Sequence, residues 1–560
     1  MRPPSTVPVV SANFRILVAP MARAMTVLGL VAATCAAGCD SPPPLGPDEI
    51  RLRVSLRCPG DPQCPDGPGR VLEAGAGKRD VTPVVETFTD ENGNKKWDPG
   101  EPFVDANGNG ALDLYYLAGL ANNRYATGVH DPIWARAIAL RQNQTTIAIV
   151  AVDCVGLFHD ELEEVRKRLD PSLGVDYVIM TALHDHNAPD TIGGWGEDEF
   201  KNGINQPWRE TLRDGMVAAI ADAVRALQPA VLTAGSILVE DPGRDVEPYV
   251  SDTRDPVVID NRLHALRFDT PDGKPIVTLV NWASHPESVG DDNRLISSDY
   301  VHWVREEVEK GGGEVVAVQG ALGGQIGPRL IRPVASDGKR FERRAFGFDF
   351  GEAWGRSIGR FAVAALDPAR GASVITDPSP RLRVSATKLD VHVDSLRFQL
   401  AGRLGVFARE QGGTDKYPTI PTELAYVHLG DQVSFVTIPG ELLPELWLGG
   451  YDGSAAFNYP FIDTARPNAP DPTLAPKPPY LRELLQGAPE HRMLFGVAQD
   501  FVGYIIPPYN FVLASEEEGV PYLNEAAGDH YEETNSLGPR AAAEIVGTAR
   551  QLVEADGPGR

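Results

Sequence analysis

Tyr177-Val-Ile-Met-Thr-Ala-Leu-His184-Asp-His186-Asn-Ala-Pro189 is an apolar run that ends in two histidines. Residues 177–183 read as a buried strand. Positions i and i+2 of an extended chain face the same side, so both imidazoles can approach one cavity at the strand's end. Upstream, residues 135–140 and 146–155 read as strands and 161–169 as a helix. Downstream, residues 209–227 carry Leu212, Met216, Ile220 and Val224 at helical spacing. Residues 231–239, 263–268, 276–282 and 314–318 read as strands and 301–309 as a helix. Strands alternating with helices predict an α/β fold: one large domain of mixed β-sheets flanked by helices. Farther on, residues 382–400 alternate in the β manner. Residues 432–438 form a strand followed by a Pro-Gly turn and a helix, 451–490 are Pro-rich and loop-like, and 539–555 read as a closing helix. No long internal repeat is visible.

The 42% hydrophobic fraction of the 560 residues is that of a globular chain with ample core. Acidic residues outnumber basic ones 77 to 52, a net charge of −25, which repels phosphate backbones and excludes nucleic acid as a partner. Near the N-terminus, Met21-Ala-Arg-Ala-Met25 is a short basic region and residues 26–34 are apolar but too short to cross a bilayer. Ala36-Ala37-Gly38-Cys39 resembles a bacterial lipoprotein signal, with Cys39 as the acylated first residue of the mature chain. Cleavage by ordinary signal peptidase is the alternative. Residues 1–38, with the first 20 as an upstream start that is not used, are then set apart from the fold. The expected location is the bacterial cell envelope, periplasm or cell surface, with the protein held to the membrane by an N-terminal lipid. Residues 39–72, rich in Pro, Gly and Asp, read as a flexible tether, with the catalytic-domain expectation covering 73–555. Cys58 and Cys64 suit a small disulfide loop in an oxidising compartment. A zinc role for that pair needs two further ligands, and none lies nearby in sequence. Cys154 reads as a small buried residue.

Residues 88–116 form an insert. Asp90-Glu-Asn-Gly-Asn-Lys-Lys-Trp-Asp-Pro-Gly-Glu101 places oxygen side chains at loop positions 1, 3, 5, 9 and 12, the spacing with which a twelve-residue loop wraps calcium. The candidate ligands are Asp90, Asn92, Asn94, Asp98 and Glu101. Lys95 stands at position 6, where glycine is usual. Asp105, Asn107, Asn109 and Asp113 repeat positions 1, 3, 5 and 9, with Gly110 at position 6 and Tyr116 at position 12, so the bidentate acid is missing from the second loop. The plain alternative is a cluster of polar turns. On the calcium reading, one or two Ca²⁺ ions hold a surface loop and take no part in chemistry.

Val277-Thr-Leu-Val-Asn281-Trp-Ala-Ser-His285-Pro286 is a second strand ending in histidine. Any one such residue is more often an ordinary loop histidine. The chain has 11 histidines, and two segments share this strand-to-histidine design. Neutral imidazoles together with a carboxylate make a zinc-like donor set.

Taken in order, these segments resemble the neutral/alkaline ceramidase family over about residues 73–550. The resemblance rests on Ala74-Gly-Ala-Gly-Lys-Arg-Asp80-Val-Thr-Pro83, Gly128-Val-His-Asp131, Asp153, His184-Asp-His-Asn-Ala-Pro189, Asn281-Trp-Ala-Ser-His-Pro286, Ser297-Ser-Asp299, Pro439-Gly-Glu441 and Gly503-Tyr504. It implies a zinc site made by His184, His285, Glu441 and Tyr504. His186 and, less directly, Tyr531 are implied near the reacting carbonyl. Without the resemblance, Glu441 reads as a helix N-terminal acid and Tyr504 as a core aromatic. The implied chemistry is hydrolysis of the amide bond of a ceramide-like N-acyl lipid by a metal-activated water, with His186 and Tyr531 stabilising the oxyanion or passing a proton to the leaving amine.

The chain departs from the family in one loop. Where the family carries a serine-bearing segment, this chain has Leu322-Gly-Gly-Gln-Ile-Gly327-Pro328, and the serine position is Gly327. That leaves open a zinc hydrolase acting on another amide or ester, or a non-catalytic lipoprotein that binds calcium and a lipid or glycan. The chain also ends soon after Tyr531, with no room for the C-terminal immunoglobulin-like domain of many relatives.

Overall fold

The computed structural model describes residues 52–67, 69, 71–240, 249–327, 331–414, 416–457 and 459–556. The export segment, Cys39 and Pro328 lie outside the described residues. Among those described, no helix is long and apolar enough to cross a membrane.

Two sheets carry the architecture. In the first, the strands lie in the order Tyr177–Ala182, Thr145–Val152, Trp134–Gln142, Glu73–Asp80, Gln228–Pro229. The first two run parallel and the rest pair antiparallel. In the second, the order is Glu314–Gln319, Pro275–Trp282, Arg262–Asp269, Val231–Leu238, Ser373–Asp377, again with a parallel first pair and antiparallel neighbours. Along the chain each unit runs strand, strand, strand, helix, strand, helix, strand. The helices are His159–Arg168 and Gln206–Arg225 in the first unit, and Tyr300–Glu309 and Phe348–Ala364 in the second. The same topology thus occurs twice, although the sequence shows no repeat: what the two units share is strand order and burial pattern, not side-chain identity.

The sheets pack face to face. Ile138, Ile147, Ile149 and Ile179 of the first sheet join Leu266, Phe268, Val277 and Leu279 of the second in one core. The outer face of the first sheet packs on Leu212, Met216 and Ile220 of its long helix. The outer face of the second packs on Val301, Val304, Trp354 and Ile358. Central strands are therefore covered on both faces, which is why all eight residues of Thr145–Val152 are buried and read as a continuous apolar run. Gly77 lets the long helix lie directly on the sheet, since a Cβ there would stand 2.3 Å from the Ala219 carbonyl oxygen.

A third sheet, in the order Val54–Cys58, Leu382–His392, Pro418–Leu429, Val433–Thr437, Arg492–Phe495, closes the core from the side and is backed by the helix Arg540–Ala555. It brings two corrections. Part of the expected tether is structured: Val54–Cys58 pairs antiparallel with Leu382–His392, and Cys58 and Cys64 form a disulfide with both residues buried. Polar spacing in 39–72 hid a strand whose inward side chains, Leu56 and Cys58, fill the core. The β alternation expected over 382–400 stops at His392, after which Ser395 caps the helix Leu396–Arg403 by accepting from the Phe398 N–H.

Candidate metal centre

His184 follows the end of Tyr177–Ala182, and His285 follows the end of Pro275–Trp282. The histidines thus leave one strand of each unit. Glu441 and Tyr504 are register partners in a two-residue parallel pairing between Glu441–Leu442 and Tyr504–Ile505. That pairing sets both side chains on one face and carries them to the histidines.

The four groups converge. His285 Nε2 lies 3.0 Å and His184 Nε2 3.3 Å from Glu441 Oε2, and the Tyr504 hydroxyl stands 3.4 Å from His285 Nε2. Donors bound to one tetrahedral ion at about 2.0 Å lie about 3.3 Å apart. The other ring nitrogens are committed: His184 Nδ1 donates to the Val155 carbonyl at 2.7 Å and His285 Nδ1 donates to the Gln325 carbonyl at 3.1 Å. A carbonyl only accepts, so each Nδ1 carries the proton and each Nε2 presents a lone pair, the outer-shell arrangement of metal-bound histidine. Burial alone would raise the Glu441 pKa, yet His184 and His285 hold it down to about 2, so it is a carboxylate. Burial would likewise lower the His184 pKa, but the Glu441 charge raises it: the carboxylate favours positive charge at Nε2, which a bound cation would supply in place of a proton. His184 sits at φ 61°, a left-handed conformation costly for a side-chain-bearing residue and typical of functional positions.

His186 belongs to the same group: its ring nitrogen lies within 4.8 Å of those of His184 and His285. Its role differs. Both its ring nitrogens are buried without a hydrogen-bond partner, and Nδ1 faces Glu287 Oε2 at 3.7 Å. Burial, then the neighbouring His184 and His285, push its pKa well below the usual value, so the ring is neutral. Tyr531 donates to or accepts from Tyr504 across 3.0 Å between hydroxyls. Burial, then Glu532, keeps the Tyr531 phenol protonated, its pKa raised well above 10.0.

Behind Tyr531 lies a residue that sequence reading missed. Arg254 is 3% exposed and donates to Glu532 at 2.9 Å, to Glu533 at 2.7 and 3.1 Å and to the Asn510 carbonyl at 2.6 Å. It ties the turn Tyr531–Asn535 to the loop before Arg262–Asp269. The acid pair after Tyr531 was the available signal, because two adjacent buried carboxylates require a cation. The same pocket holds Asp252 and Glu445. Burial foremost pushes Asp252 and Glu532 up to about 8 and Glu445 up to about 7. Each therefore holds a proton in the folded chain that the unfolded chain releases above about pH 4.5. The folded state binds more protons between the two values, so stability falls as pH rises through that window. The unfolding temperature is expected to drop between about pH 5 and pH 8, and Glu445→Gln to flatten that slope in melts followed by circular dichroism.

Gly327 has φ 54°, and a Cβ there would meet Glu287 Oε1 at 2.7 Å. The Glu287 carboxylate fills the space into which a side chain at 327 would project.

In the insert, each loop is closed by one carboxylate. In the first, Glu101 accepts from the Glu91 and Asp98 N–H groups, both at 2.9 Å, while Asp90 accepts from Gly93 at 2.7 Å and Lys95 at 2.8 Å. In the second, Asp105 accepts from Gly108 at 2.7 Å and Gly110 at 3.0 Å. The acid missing at Tyr116 is replaced from upstream: Glu86, 1% exposed, accepts from Ala106 at 2.8 Å and Asp113 at 2.9 Å. Asn92 and Asn94 turn their side chains to Asp98, and Asn107 and Asn109 theirs to Asp113. Lys95 adopts φ 63°, the conformation that makes glycine usual at position 6.

Residues 106–321 match the family described as neutral/alkaline non-lysosomal ceramidase, N-terminal. That segment holds His184, His186 and His285 and stops short of Glu441 and Tyr504. A curated relative, neutral ceramidase B of Dictyostelium discoideum, is 23% identical over 280 residues, which span 46% of this chain and 39% of the relative. The crystal structure of neutral ceramidase from Pseudomonas aeruginosa shares the fold at TM-score 0.57 and 15% identity, over 87% of this chain and 74% of that one. A solved structure described as ceramidase complexed with C2 is similar at TM-score 0.56 and 16% identity, over 87% and 75% of the two chains. Over residues 106–321 the chain is thus similar to the neutral/alkaline non-lysosomal ceramidase N-terminal family, and its fold is that of the solved neutral ceramidase from Pseudomonas aeruginosa.

Proposed function

We propose that this protein is a zinc-dependent hydrolase that cleaves the amide bond of an N-acyl lipid. The observation that carries the reading is the convergence of two Nε2 lone pairs, the Glu441 carboxylate and the Tyr504 hydroxyl, with both Nδ1 atoms committed to backbone carbonyls. An N₂O₂ set of this kind suits zinc. Bound Zn²⁺ supplies Lewis acidity, which lowers the pKa of water and polarises a carbonyl. The chain's own residues do the rest. Neutral His186 can accept a proton at one nitrogen and donate at the other, the property needed to move a proton to a leaving amine. The Tyr531 hydroxyl, kept protonated, is a donor for an oxyanion. Burial of His184, His186, His285, Glu441 and Tyr504, with Tyr531 half-buried beside them, restricts water and strengthens each interaction.

The printed names of the relatives make ceramide the first substrate to test. A specific observation favours a second substrate class within the same chemistry. Where the family has a serine hydroxyl, this site presents the acidic Glu287 beside His186. A carboxylate accepts hydrogen bonds and attracts cations, whereas a hydroxyl also donates. An amide whose amine half carries extra donors or an ammonium group suits it better than one that needs a donated bond. The test is metal analysis of the purified protein together with fatty-acid release from short-chain ceramide and from N-acyl diamines. Stoichiometric zinc with hydrolysis of either substrate supports the proposal, and a protein that binds no zinc ends it.

The insert is proposed to hold two Ca²⁺ ions in a stabilising role, with Glu101 and Glu86 as the closing acids. Asparagine oxygen and nitrogen are interchangeable in position, so Asn92, Asn94, Asn107 and Asn109 can each turn an oxygen inward when the ion binds. Calorimetry on metal-stripped protein is expected to show two calcium sites. Glu86→Gln should remove one and leave the other, and two undiminished sites in that variant would rule out the assignment.

The N-terminal lipid anchor at Cys39 and location in the bacterial cell envelope are likewise proposed on the sequence alone. Globomycin-sensitive processing and incorporation of labelled palmitate would test them.

A further inference from the structure

Residues 115–126 continue from the insert as a turn that covers His186. Tyr116 and Tyr125 bridge its base, and the Leu117 N–H donates to the Arg124 carbonyl at 2.7 Å. The turn is also joined to the loop that carries His186. The Ala118 N–H donates to the Ala188 carbonyl at 3.0 Å, and the Asp190 N–H to the Tyr116 carbonyl at 2.7 Å. Within the turn, Gly119 has φ 95°, and a Cβ there would stand 2.4 Å from His186 Cγ and 2.5 Å from Nδ1. The bare backbone therefore lies against the imidazole, and only glycine fits. His184 and His285 each have one ring nitrogen fixed by a carbonyl, whereas His186 has no hydrogen bond at either nitrogen. Its orientation is left to packing and to its own peptide. Arg124 holds that peptide. It is 2% exposed, and its Nη2 donates to the Ala118 carbonyl at 2.7 Å and also to the His186 carbonyl. Its Nε and Nη1 are buried without hydrogen-bond partners. Burial foremost lowers its pKa to about 10, so the group is charged at neutral pH. A buried guanidinium that bonds two carbonyls and, among the described residues, no carboxylate is costly. Such costs are kept where a site demands a fixed geometry.

We propose that the 115–126 turn, clamped by Arg124, positions the His186 imidazole: one guanidinium nitrogen ties the turn to the His186 peptide, and the Gly119 backbone sets the ring against His184 and His285. The ring centroids of those two histidines lie 4.8 and 5.8 Å from that of His186. Arg124 is a positioning residue, since it acts only through His186. That the orientation serves proton transfer rests on the hydrolase reading; that the clamp sets the orientation does not. A misplacement of about 1 Å in a reacting group costs about 100-fold in rate.

The experiment is modification of histidines by diethyl pyrocarbonate, resolved by peptide mass mapping, in the full chain carrying Arg124→Met, Arg124→Lys or Gly119→Ala. In Arg124→Met, His186 is expected to react about tenfold faster, because losing two hydrogen bonds from a charged donor lets the turn open more often. Arg124→Lys, whose ammonium can donate to the same carbonyls, should return most of the parent rate. Zinc content and near-ultraviolet circular dichroism should match the parent in all three. For fatty-acid release from short-chain ceramide, Arg124→Met should lower kcat about 100-fold with KM unchanged, and Arg124→Lys should recover most of it. Gly119→Ala presses a methyl group on the ring and leaves the donors of the clamp intact. It should raise the modification rate and lower kcat likewise, and it decides if Arg124→Met does not fold. Unchanged His186 modification in folded Arg124→Met, or parent-like modification and kcat in folded, zinc-loaded Gly119→Ala, overturns the proposal. If the parent protein releases no fatty acid, the modification rates alone decide, so the clamp and the hydrolase reading stand or fall separately.

Discussion

On the proposed ligand set, replacing His285 by alanine is expected to abolish zinc binding and hydrolysis, while the chain remains folded. The substitution removes a donor that faces Glu441 at 3.0 Å and stands 3.4 Å from the Tyr504 hydroxyl. Loss of an outer-shell partner alone lowers metal affinity about 10- to 100-fold, so loss of the ligand itself should exceed that range. The activity loss should exceed the about 10³-fold that removing one oxyanion donor costs, because ion and acid–base geometry go together. The ring is 1% exposed and lies at the end of a strand, outside the main apolar clusters, which is why folding should survive. Metal content by plasma mass spectrometry and near-ultraviolet circular dichroism separate the two effects. His186→Ala is the matched control: it should keep the metal and still lose turnover. A His285→Ala protein that keeps one zinc per chain would remove His285 from the ligand set.

Arg254→Met should be the most destabilising single change near the site. The guanidinium makes four hydrogen bonds, and three go to buried Glu533 and Glu532, of which Glu533 is the carboxylate held below its ordinary value and Glu532 the protonated partner. Removing one partner of a buried ion pair leaves uncompensated charge and costs about 3–5 kcal/mol. Urea unfolding should show this loss, with Tyr531 turnover effects secondary to it. The combination Arg254→Met, Glu532→Gln and Glu533→Gln should recover most of the stability, since the charges leave together. Recovery in the triple variant distinguishes electrostatic loss from lost packing.

Much of the alternation was legible because the central strands are covered on both faces. Thr145–Val152 and Pro275–Trp282 are continuous apolar runs, and their neighbours have the helical period. The helix Phe348–Ala364 was not expected, since Gly351, Gly355 and Gly359 lower its intrinsic propensity. Those glycines form a packing groove: a Cβ at Gly355 would stand 2.2 Å from the Tyr300 carbonyl oxygen, so tertiary contact overrides propensity. The strand Pro418–Leu429 was hidden by Pro418 and Pro421, which sit toward one end of the ladder while Leu424–Leu429 supplies the core. At the site, the two histidines were visible as strand ends. Glu441 and Tyr504 were not readable without the family resemblance, because a two-residue pairing leaves no periodicity. Glu86 escaped because the acid that closes the second loop precedes it, against the order of the twelve-residue pattern.

The twofold recurrence of one strand-and-helix plan has a consequence for how the protein matures. One imidazole leaves each copy of the plan, and the carboxylate and phenol come from the remaining part of the chain. On the proposed ligand set, neither copy alone carries the four-residue grip, so a nascent chain that has made only its first copy would lack the site of His184, His285, Glu441 and Tyr504. Contacts between residues so distant in sequence form late, after the entropic cost of closing long loops has been met. On that ligand set, uptake of metal at this centre would report that both copies and the paired segments Glu441–Leu442 and Tyr504–Ile505 have docked.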